Sequence, residues 1–103
     1  MALNHYLIGN SVVMIGSCSV VDPLTRAETP TDPTTVTFTR VKPDGSVTTY
    51  TTGSPEFSHL AVGIDAVVVG VDQAGVEKWR YESTGTCEAA AEDLFQVNPS
   101  SVI

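Results

Sequence analysis

Apolar and polar residues alternate along much of this chain, which is the pattern of half-buried β-strands. In residues 76–82, Trp79 and Tyr81 fall on one face and charged side chains fall on the other. Val36 and Phe38 alternate with threonines in the same way. Because β-branched and aromatic residues suit a pleated surface, both runs are predicted to be strands with one buried face.

A Pro-Asp-Gly sequence interrupts the threonine-rich segment 30–52 and predicts a hairpin there. Pro43 favours an early turn position because its φ is held near about −65°. Gly45 can adopt a positive φ, and β-rich sequence then resumes with Val47 and Tyr50. The segment is therefore predicted to be two antiparallel strands joined by a tight turn.

Two further strands with a bend between them are predicted in residues 6–21, because Gly9 and Gly16 interrupt any long helix. In the second of these strands Val13 and Ile15 share one face, and the register of that strand stays open. The prolines of the following segment, residues 22–32, indicate an exposed loop.

Residues 60–71 form a β-branched run that predicts another strand. One face of that run carries three apolar residues: Ile64, Ala66 and Val68. Residues 94–97 predict the last strand. The alanines of residues 88–92 favour a helical turn by composition, which is the local alternative to a strand.

Short strands separated by turn signals predict an all-β fold, an immunoglobulin-like antiparallel β-sandwich with about seven short strands. A barrel is the alternative. We expect an N-terminal arm at residues 1–5, a single domain at 6–97 and a C-terminal tail at 98–103. Six residues are expected in the structural core: Val36, Phe38, Ile64, Trp79, Tyr81 and Phe95.

The net charge and the lengths of the apolar runs argue against two classes of partner, nucleic acid and membranes. The 103 residues include 12 acidic and 5 basic side chains, for a net charge of −7. Direct binding to nucleic acid is not expected, because that affinity comes mainly from cationic contacts to phosphates. No membrane partner is expected either, because no apolar run reaches about 18 residues and the first residues lack the basic start of a secretory signal.

The chain has two cysteines, Cys18 and Cys87. Synthesis in a cytosol predicts that they are free thiols. The alternative is a single bridge, which would close a long loop and stabilise the fold by about 4 kcal/mol.

Catalytic chemistry is not expected. A nucleophile needs a base within hydrogen-bond reach, and the spacing of His5, His59 and Cys18 does not provide such a pair. Asp44 and Asp72 are the acidic residues that could meet at one end of a sandwich, but calcium requires about six or more converging oxygens. The sequence therefore predicts a protein that is not an enzyme and has no metal and no cofactor.

Several short sequences carry a family resemblance. They are PTDPTTVTFT at 30–39, PDGSVTTY at 43–50, AG at 74–75, WRYE at 79–82, TG at 84–85, AAAE at 89–92 and FQV at 95–97. Together they resemble small immunoglobulin-like structural proteins of tailed bacteriophages. The chain departs from that pattern at Val76 and Glu77, where the family often has an aromatic residue, and in a longer loop before Pro30.

The resemblance implies a non-catalytic bacteriophage virion structural protein, and a capsid decoration or cement protein is the leading expectation. The implied partners are the phage major capsid protein or other virion proteins, with self-association as an alternative. The implied location is the virion, with the capsid surface preferred, after synthesis in the bacterial cytoplasm. One alternative is a neck, head-completion or tail accessory protein. A second is a host-surface or glycan-binding module, for which Tyr6 and Tyr50 are the spare aromatic residues.

Overall fold

Residues 4–99 are described by a computed structural model of the chain, and they form ten strands and no helix. The strands are β1 (Asn4–Leu7), β2 (Ser11–Ser17), β3 (Ser19–Val21), β4 (Glu28–Pro30), β5 (Thr35–Val41), β6 (Val47–Thr51), β7 (Phe57–Ala61), β8 (Ile64–Gly70), β9 (Gly75–Thr84) and β10 (Ala89–Asn98). The all-β prediction is confirmed. The expected number of about seven strands is too low.

The strands form a five-stranded sheet, a three-stranded sheet and a small ribbon. The five-stranded sheet has the order β1-β10-β9-β5-β6, the three-stranded sheet the order β2-β8-β7, and the ribbon pairs β3 with β4. All pairings are antiparallel except that of β1 with β10, which is parallel. The predicted hairpin is β5-β6, and Gly45 in its turn has a φ of 90°.

The core lies between the two larger sheets in a sandwich-like arrangement. Phe38 from the five-stranded sheet contacts Phe57 from the three-stranded sheet, with their ring centroids 6.3 Å apart. Buried side chains of both sheets form one cluster, which includes Val12, Met14, Val36, Phe38, Tyr50, Val67, Val69, Val71, Tyr81, Phe95 and Val97. Burial of this apolar surface is the main force that holds the two sheets together.

Of the six residues expected in the core, Val36, Phe38, Tyr81 and Phe95 are buried. Trp79 is partly buried and packs against the edge of the cluster. Ile64 does not belong to the core. It pairs with Ser17 on the face of the three-stranded sheet that points away from the other sheet, and its side chain is partly exposed.

The three-stranded sheet also shows which face of β2 is buried. Val12 and Met14 point inward, whereas Val13 and Ile15 are about half exposed. On β8, Val67 and Val69 point inward, and the face that Ile64, Ala66 and Val68 share is therefore the outer one.

The two ends of the described chain lie beside each other. Asn4 and His5, expected in an arm, are part of β1 and pair with Phe95 and Gln96. Asn98, expected in a tail, is the last residue of β10. Residues 1–3 and 100–103 lie outside the described residues. The segment proposed as a possible helical turn belongs to β10 from Ala89 onward.

Cys18 and Cys87 form a disulfide, so the prediction of free thiols is wrong. Cys18 follows β2, Cys87 lies in the turn before β10, and their Cα atoms are 6.2 Å apart. The sequence could not show that packing of the two sheets brings these two positions together. Because its cysteines are 69 positions apart in sequence, the bridge stabilises the fold by about 4 kcal/mol through restriction of the unfolded chain.

Candidate functional site

Two carboxylates flank His59 at the end of the sandwich that contains the disulfide. Nδ1 of His59 lies 2.8 Å from Oδ1 of Asp65, and its Nε2 lies 3.8 Å from Oδ1 of Asp32. The same Asp32 oxygen accepts a hydrogen bond of 2.7 Å from the backbone N–H of Gly63. Asp65 points inward and is buried, while the imidazole is half exposed.

The carboxylates determine the electrostatic state of the imidazole. The hydrogen bond with Asp65 is the largest effect and raises the pKa of His59 above its ordinary value, and the charge of Asp32 acts in the same direction. Within residues 4–99, neither ring nitrogen hydrogen-bonds to a hydroxyl or a thiol. The two carboxylates thus favour the protonated form of the imidazole.

A small open cavity of about 270 Å³ lies beside this cluster. Its walls include Phe57 and Val36 from the two sheets, together with His59, Asp65 and Asp32. Known small-molecule sites usually enclose about 300–1,000 Å³ and cover most of the ligand. This cavity is below that range and open to solvent, so it is a weak candidate for a ligand site.

The opposite end of the sandwich contains a buried ion pair. Nε and Nη2 of Arg40 donate to the two carboxylate oxygens of Glu77 at 2.6 and 3.1 Å, and Nη2 also donates to the carbonyl oxygen of Gly70 at 3.0 Å. Burial is the largest single effect and lowers the pKa of Arg40, but the hydrogen bond and charge of Glu77, together with smaller effects of Tyr50, outweigh it and hold that pKa above its ordinary value. The pair is sealed from solvent and joins the two sheets.

An apolar surface covers the outside of the three-stranded sheet. We define the outer patch as Val13 and Ile15 of β2 with Val68 of β8, which pairs with Val13. Ala66, which pairs with Ile15 on the same face, is itself buried. Val13 is 52% exposed, Ile15 51% and Val68 41%. The outward-facing residues of these two strands carry no charge, although the chain as a whole is strongly acidic. An uncharged apolar patch on an acidic protein is a candidate contact surface.

The other residues considered from sequence do not come together. His5 lies near Asn98, with Nδ1 of the ring 3.4 Å from the amide nitrogen. Asp44 contacts Ser46 and Gln73, whereas Asp72 pairs with Lys42. Among residues 4–99, no group of three or more potential ligands could hold a metal ion.

The two spare tyrosines do not form a stacking platform for a glycan. Tyr50 is 8% exposed and belongs to the core cluster. Tyr6 is partly buried and packs edge-on against Phe95, with 5.4 Å between ring centroids.

Three features were missed from sequence: the His59 cluster, the buried ion pair and the outer patch. One of them had a usable signal, because Arg40 alternates in phase with the inward residues Val36 and Phe38, and Glu77 does so with Tyr81. The His59 cluster had no such signal, since its contact with Asp65 depends on the exact register of β7 with β8 and Asp32 comes from a distant segment.

Comparison of the chain with protein-family models, with curated proteins and with solved structures returned no match. No helix long and apolar enough to cross a membrane occurs in residues 4–99.

Proposed function

We propose that this chain is a non-catalytic structural protein of a tailed-bacteriophage virion, with an immunoglobulin-like sandwich that decorates the capsid. In this role it binds the outside of the major capsid shell and stabilises contacts between neighbouring subunits. The observation that carries the proposal is the outer patch, an uncharged apolar surface on a domain whose net charge is −7.

The arrangement of polar groups supports a structural role. The buried pair of Arg40 and Glu77 links the sheets, and His59 is held between carboxylates. Arg40 and Glu77 hydrogen-bond to each other, and His59 hydrogen-bonds to Asp65, so the main polar contacts of both clusters lie within the fold. The outer patch, in contrast, is apolar, which suits contact with another protein.

The disulfide supports a location outside the cell for at least part of the protein's life. Bridges persist in oxidising surroundings and are rare in a reducing cytosol. A virion component is made in the cytosol and released by the host, so the bridge between Cys18 and Cys87 can form or persist after release.

Many identical copies on a lattice make weak contacts sufficient. When a shell presents hundreds of equivalent sites, avidity compensates for a small patch on each domain. The negative charge of each copy limits association in free solution and favours a basic counter-surface on the shell.

The test is to purify particles produced with the wild-type chain or a variant and to count copies per particle by gel densitometry and cryo-electron microscopy. Val68→Lys places a charge in the outer patch and is expected to reduce the copy number about tenfold or more. Val47→Lys is the matched control, because Val47 is 62% exposed on β6 of the other sheet, and it should bind like wild type.

The number of copies per particle also distinguishes capsid decoration from the alternative functions. Hundreds of copies support decoration, whereas about a dozen or fewer place the protein in the neck or tail, and absence from particles contradicts the proposal. Binding of the purified protein to host cells or polysaccharide without any capsid would favour the host-surface module instead.

A further inference from the structure

The two large sheets differ in width, and the difference leaves part of one of them uncovered. β7 packs over β5 through Phe57 and Phe38. β2 packs over β9, because Oγ of Ser83 lies 3.3 Å from Sγ of Cys18 and the Tyr81 ring fills the space in front of Gly16. The three-stranded sheet therefore ends above β9, while the five-stranded sheet continues into β10 and β1.

Two inward-facing residues in the first half of β10 are exposed because the three-stranded sheet does not extend over them. Ala91 and Asp93 pair with Tyr81 and Trp79 and share their inward face. Both are nevertheless exposed, whereas Tyr81 is 1% exposed. Further along β10, Phe95 is buried and has Tyr6 against its ring. Ala89, before Ala91, is partly buried and packs against the core cluster. The uncovered part of the inner face of β10 is thus the stretch from Ala91 to Asp93.

The free edge of β2 runs alongside this uncovered face. Within residues 4–99, β2 pairs with β8 and with no other strand. The flanking bonds from Val71 N–H to Asn10 C=O and from Cys18 N–H to Gly63 C=O show that even-numbered residues direct their backbone groups toward β8. In an antiparallel ladder the intervening residues point the opposite way. The N–H and C=O groups of Ser11, Val13, Ile15 and Ser17 therefore face the open side.

β2 lacks the devices that usually protect an edge strand. It has seven residues, none of them charged and none proline. Natural edges are commonly blocked by charges, prolines, bulges or covering segments, because unpaired backbone groups accept additional strands. An unprotected edge beside an uncovered sheet face indicates a place for one more strand.

We propose that this place, the β2–β10 slot, binds an extended segment of a partner protein as a fourth strand of the three-stranded sheet. The slot is bounded by the free edge of β2 (Ser11–Ser17) and by the exposed inner face of β10 at Ala91 and Asp93. A strand added about 4.8 Å from β2 would lie over that face, in a layer about 10 Å from the five-stranded sheet. The inference stands without the proposed function, because it depends on the shape and chemistry of the slot alone.

The slot accepts a single strand but not a second copy of the domain. If β2 of two copies paired edge to edge in an antiparallel ladder, the five-stranded sheet of each copy would extend past the seam on the same side. The two overhangs, each made of β10 and β1, would then occupy the same space. The occupant is therefore an extended peptide segment, as in other cases of strand addition.

Charge and polarity describe that segment. Every second side chain of the added segment would point outward beside Val13 and Ile15. Apolar residues at these positions of the segment would extend the outer patch. The others would point inward toward Ala91 and Asp93, and Asp93 has no salt-bridge partner among the described residues. A basic side chain at that position would pair with it, which the net charge of −7 also favours.

The test uses the full chain, amide-resolved NMR and the peptide Thr-Val-Lys-Val-Lys-Val-Thr as a probe. In the free protein, the amides of Val13 and Ile15 should exchange with solvent much faster than that of Met14, whose N–H faces β8. The peptide should slow exchange at Val13 and Ile15 and shift the signals of Ala91 and Asp93. The matched peptide with Glu in place of Lys should bind about tenfold more weakly at low salt.

Two variants make the test specific. Val13→Pro removes an N–H that faces the slot and leaves the ladder with β8 intact, so it should preserve the fold and weaken binding of the basic peptide about tenfold or more. Val13→Thr keeps the N–H and should bind like wild type. Asp93→Asn should reduce the preference for the basic over the acidic peptide.

Three results would overturn the proposal. In the first, neither peptide perturbs β2 and β10. In the second, the amides of Val13 and Ile15 are protected in the free protein in a way that disappears on dilution, which would identify a second copy as the occupant. In the third, that protection disappears when residues 1–3 or 100–103 are deleted, which would identify a segment of the same chain.

Discussion

The five-stranded and three-stranded sheets bury similar residues but expose different ones. The outer face of the five-stranded sheet carries threonines on β5 and charged residues on β9, including Arg80, which pairs with Glu82 and Glu92. The outer face of the three-stranded sheet carries the outer patch instead. A polar outer face needs no partner, whereas an apolar one on a small acidic domain indicates a contact surface. The sheet that is narrower is therefore also the sheet with the features of an interface.

The largest expected loss of stability comes from breaking a buried ion pair on the inner face of the five-stranded sheet. An exposed ion pair on the outer face of the same sheet provides the comparison. Glu77→Ala leaves the Arg40 guanidinium buried without its anion and is expected to lower the free energy of unfolding by about 3–5 kcal/mol. Glu92→Ala breaks an exposed pair with Arg80 and should leave stability nearly unchanged. Urea denaturation of both variants measures the contrast, and equal losses would contradict the assignment of inner and outer faces.

Adjacent residues of β2 test the same assignment in the three-stranded sheet. Met14→Thr removes a fully buried side chain and introduces a hydroxyl, so it should destabilise the protein by about 2–5 kcal/mol. Ile15→Thr keeps a β-branched residue on the outer patch and should change stability by about 0.5 kcal/mol or less. If Ile15→Thr were the more damaging change in thermal or urea unfolding, the outer patch would have to be part of a core.

Two glycines, Gly16 of β2 and Gly70 of β8, compare a packed position with an open one on neighbouring strands. At Gly16 an added Cβ would overlap the Tyr81 ring, so Gly16→Ala is expected to cost about 1–3 kcal/mol through overpacking. At Gly70 an added Cβ meets nothing within 4 Å, and Gly70→Ala should be neutral or stabilising by up to about 1 kcal/mol. Equal unfolding midpoints for the two variants would show that β2 does not pack against β9 as described.

The smallest expected effect is a pH dependence of stability caused by His59, at the end of the sandwich that contains the disulfide. Because the pKa of His59 is raised in the folded state, its stabilising effect is complete below the unfolded value of about 6.5 and is lost as the pH rises through the folded value. The wild type should therefore lose stability relative to His59→Gln between pH 6 and pH 8. Urea midpoints at the two pH values measure this difference, and a wild type that gains on the variant at pH 8 would contradict the ion cluster.

The sequence predicted most about the five-stranded sheet. Val36 and Phe38 alternate with threonines, and Tyr81 alternates with charged residues, so one face is clearly polar and the other must be buried. In β2 and β8 both faces are apolar, and the alternation that includes Ile64 and Val68 could not indicate which face points inward. That failure has a physical cause, since the period of two identifies two faces but only polarity distinguishes them.

The candidate sites were harder to predict for a different reason. The contact of His59 with Asp65 depends on the register of β7 with β8, and its contact with Asp32 on a loop that reaches this pair. The bridge between Cys18 and Cys87 depends on how the sheets stack. Stacking is a long-range property that strand patterns do not encode. The general argument from cellular compartment favoured free thiols, and the proximity of the two positions in the folded chain proved decisive.

The disulfide also determines how the domain carries load. Cys18 directly follows β2, the strand that borders the slot, and Cys87 lies in the turn that leads into β10, so a covalent bond joins the two sheets at that end. Tension applied to β2 is transmitted directly to the five-stranded sheet and does not have to be resisted by side-chain packing alone. Mechanical strength under a pulling force should therefore depend on the redox state of this bond, even under conditions in which the reduced protein stays folded.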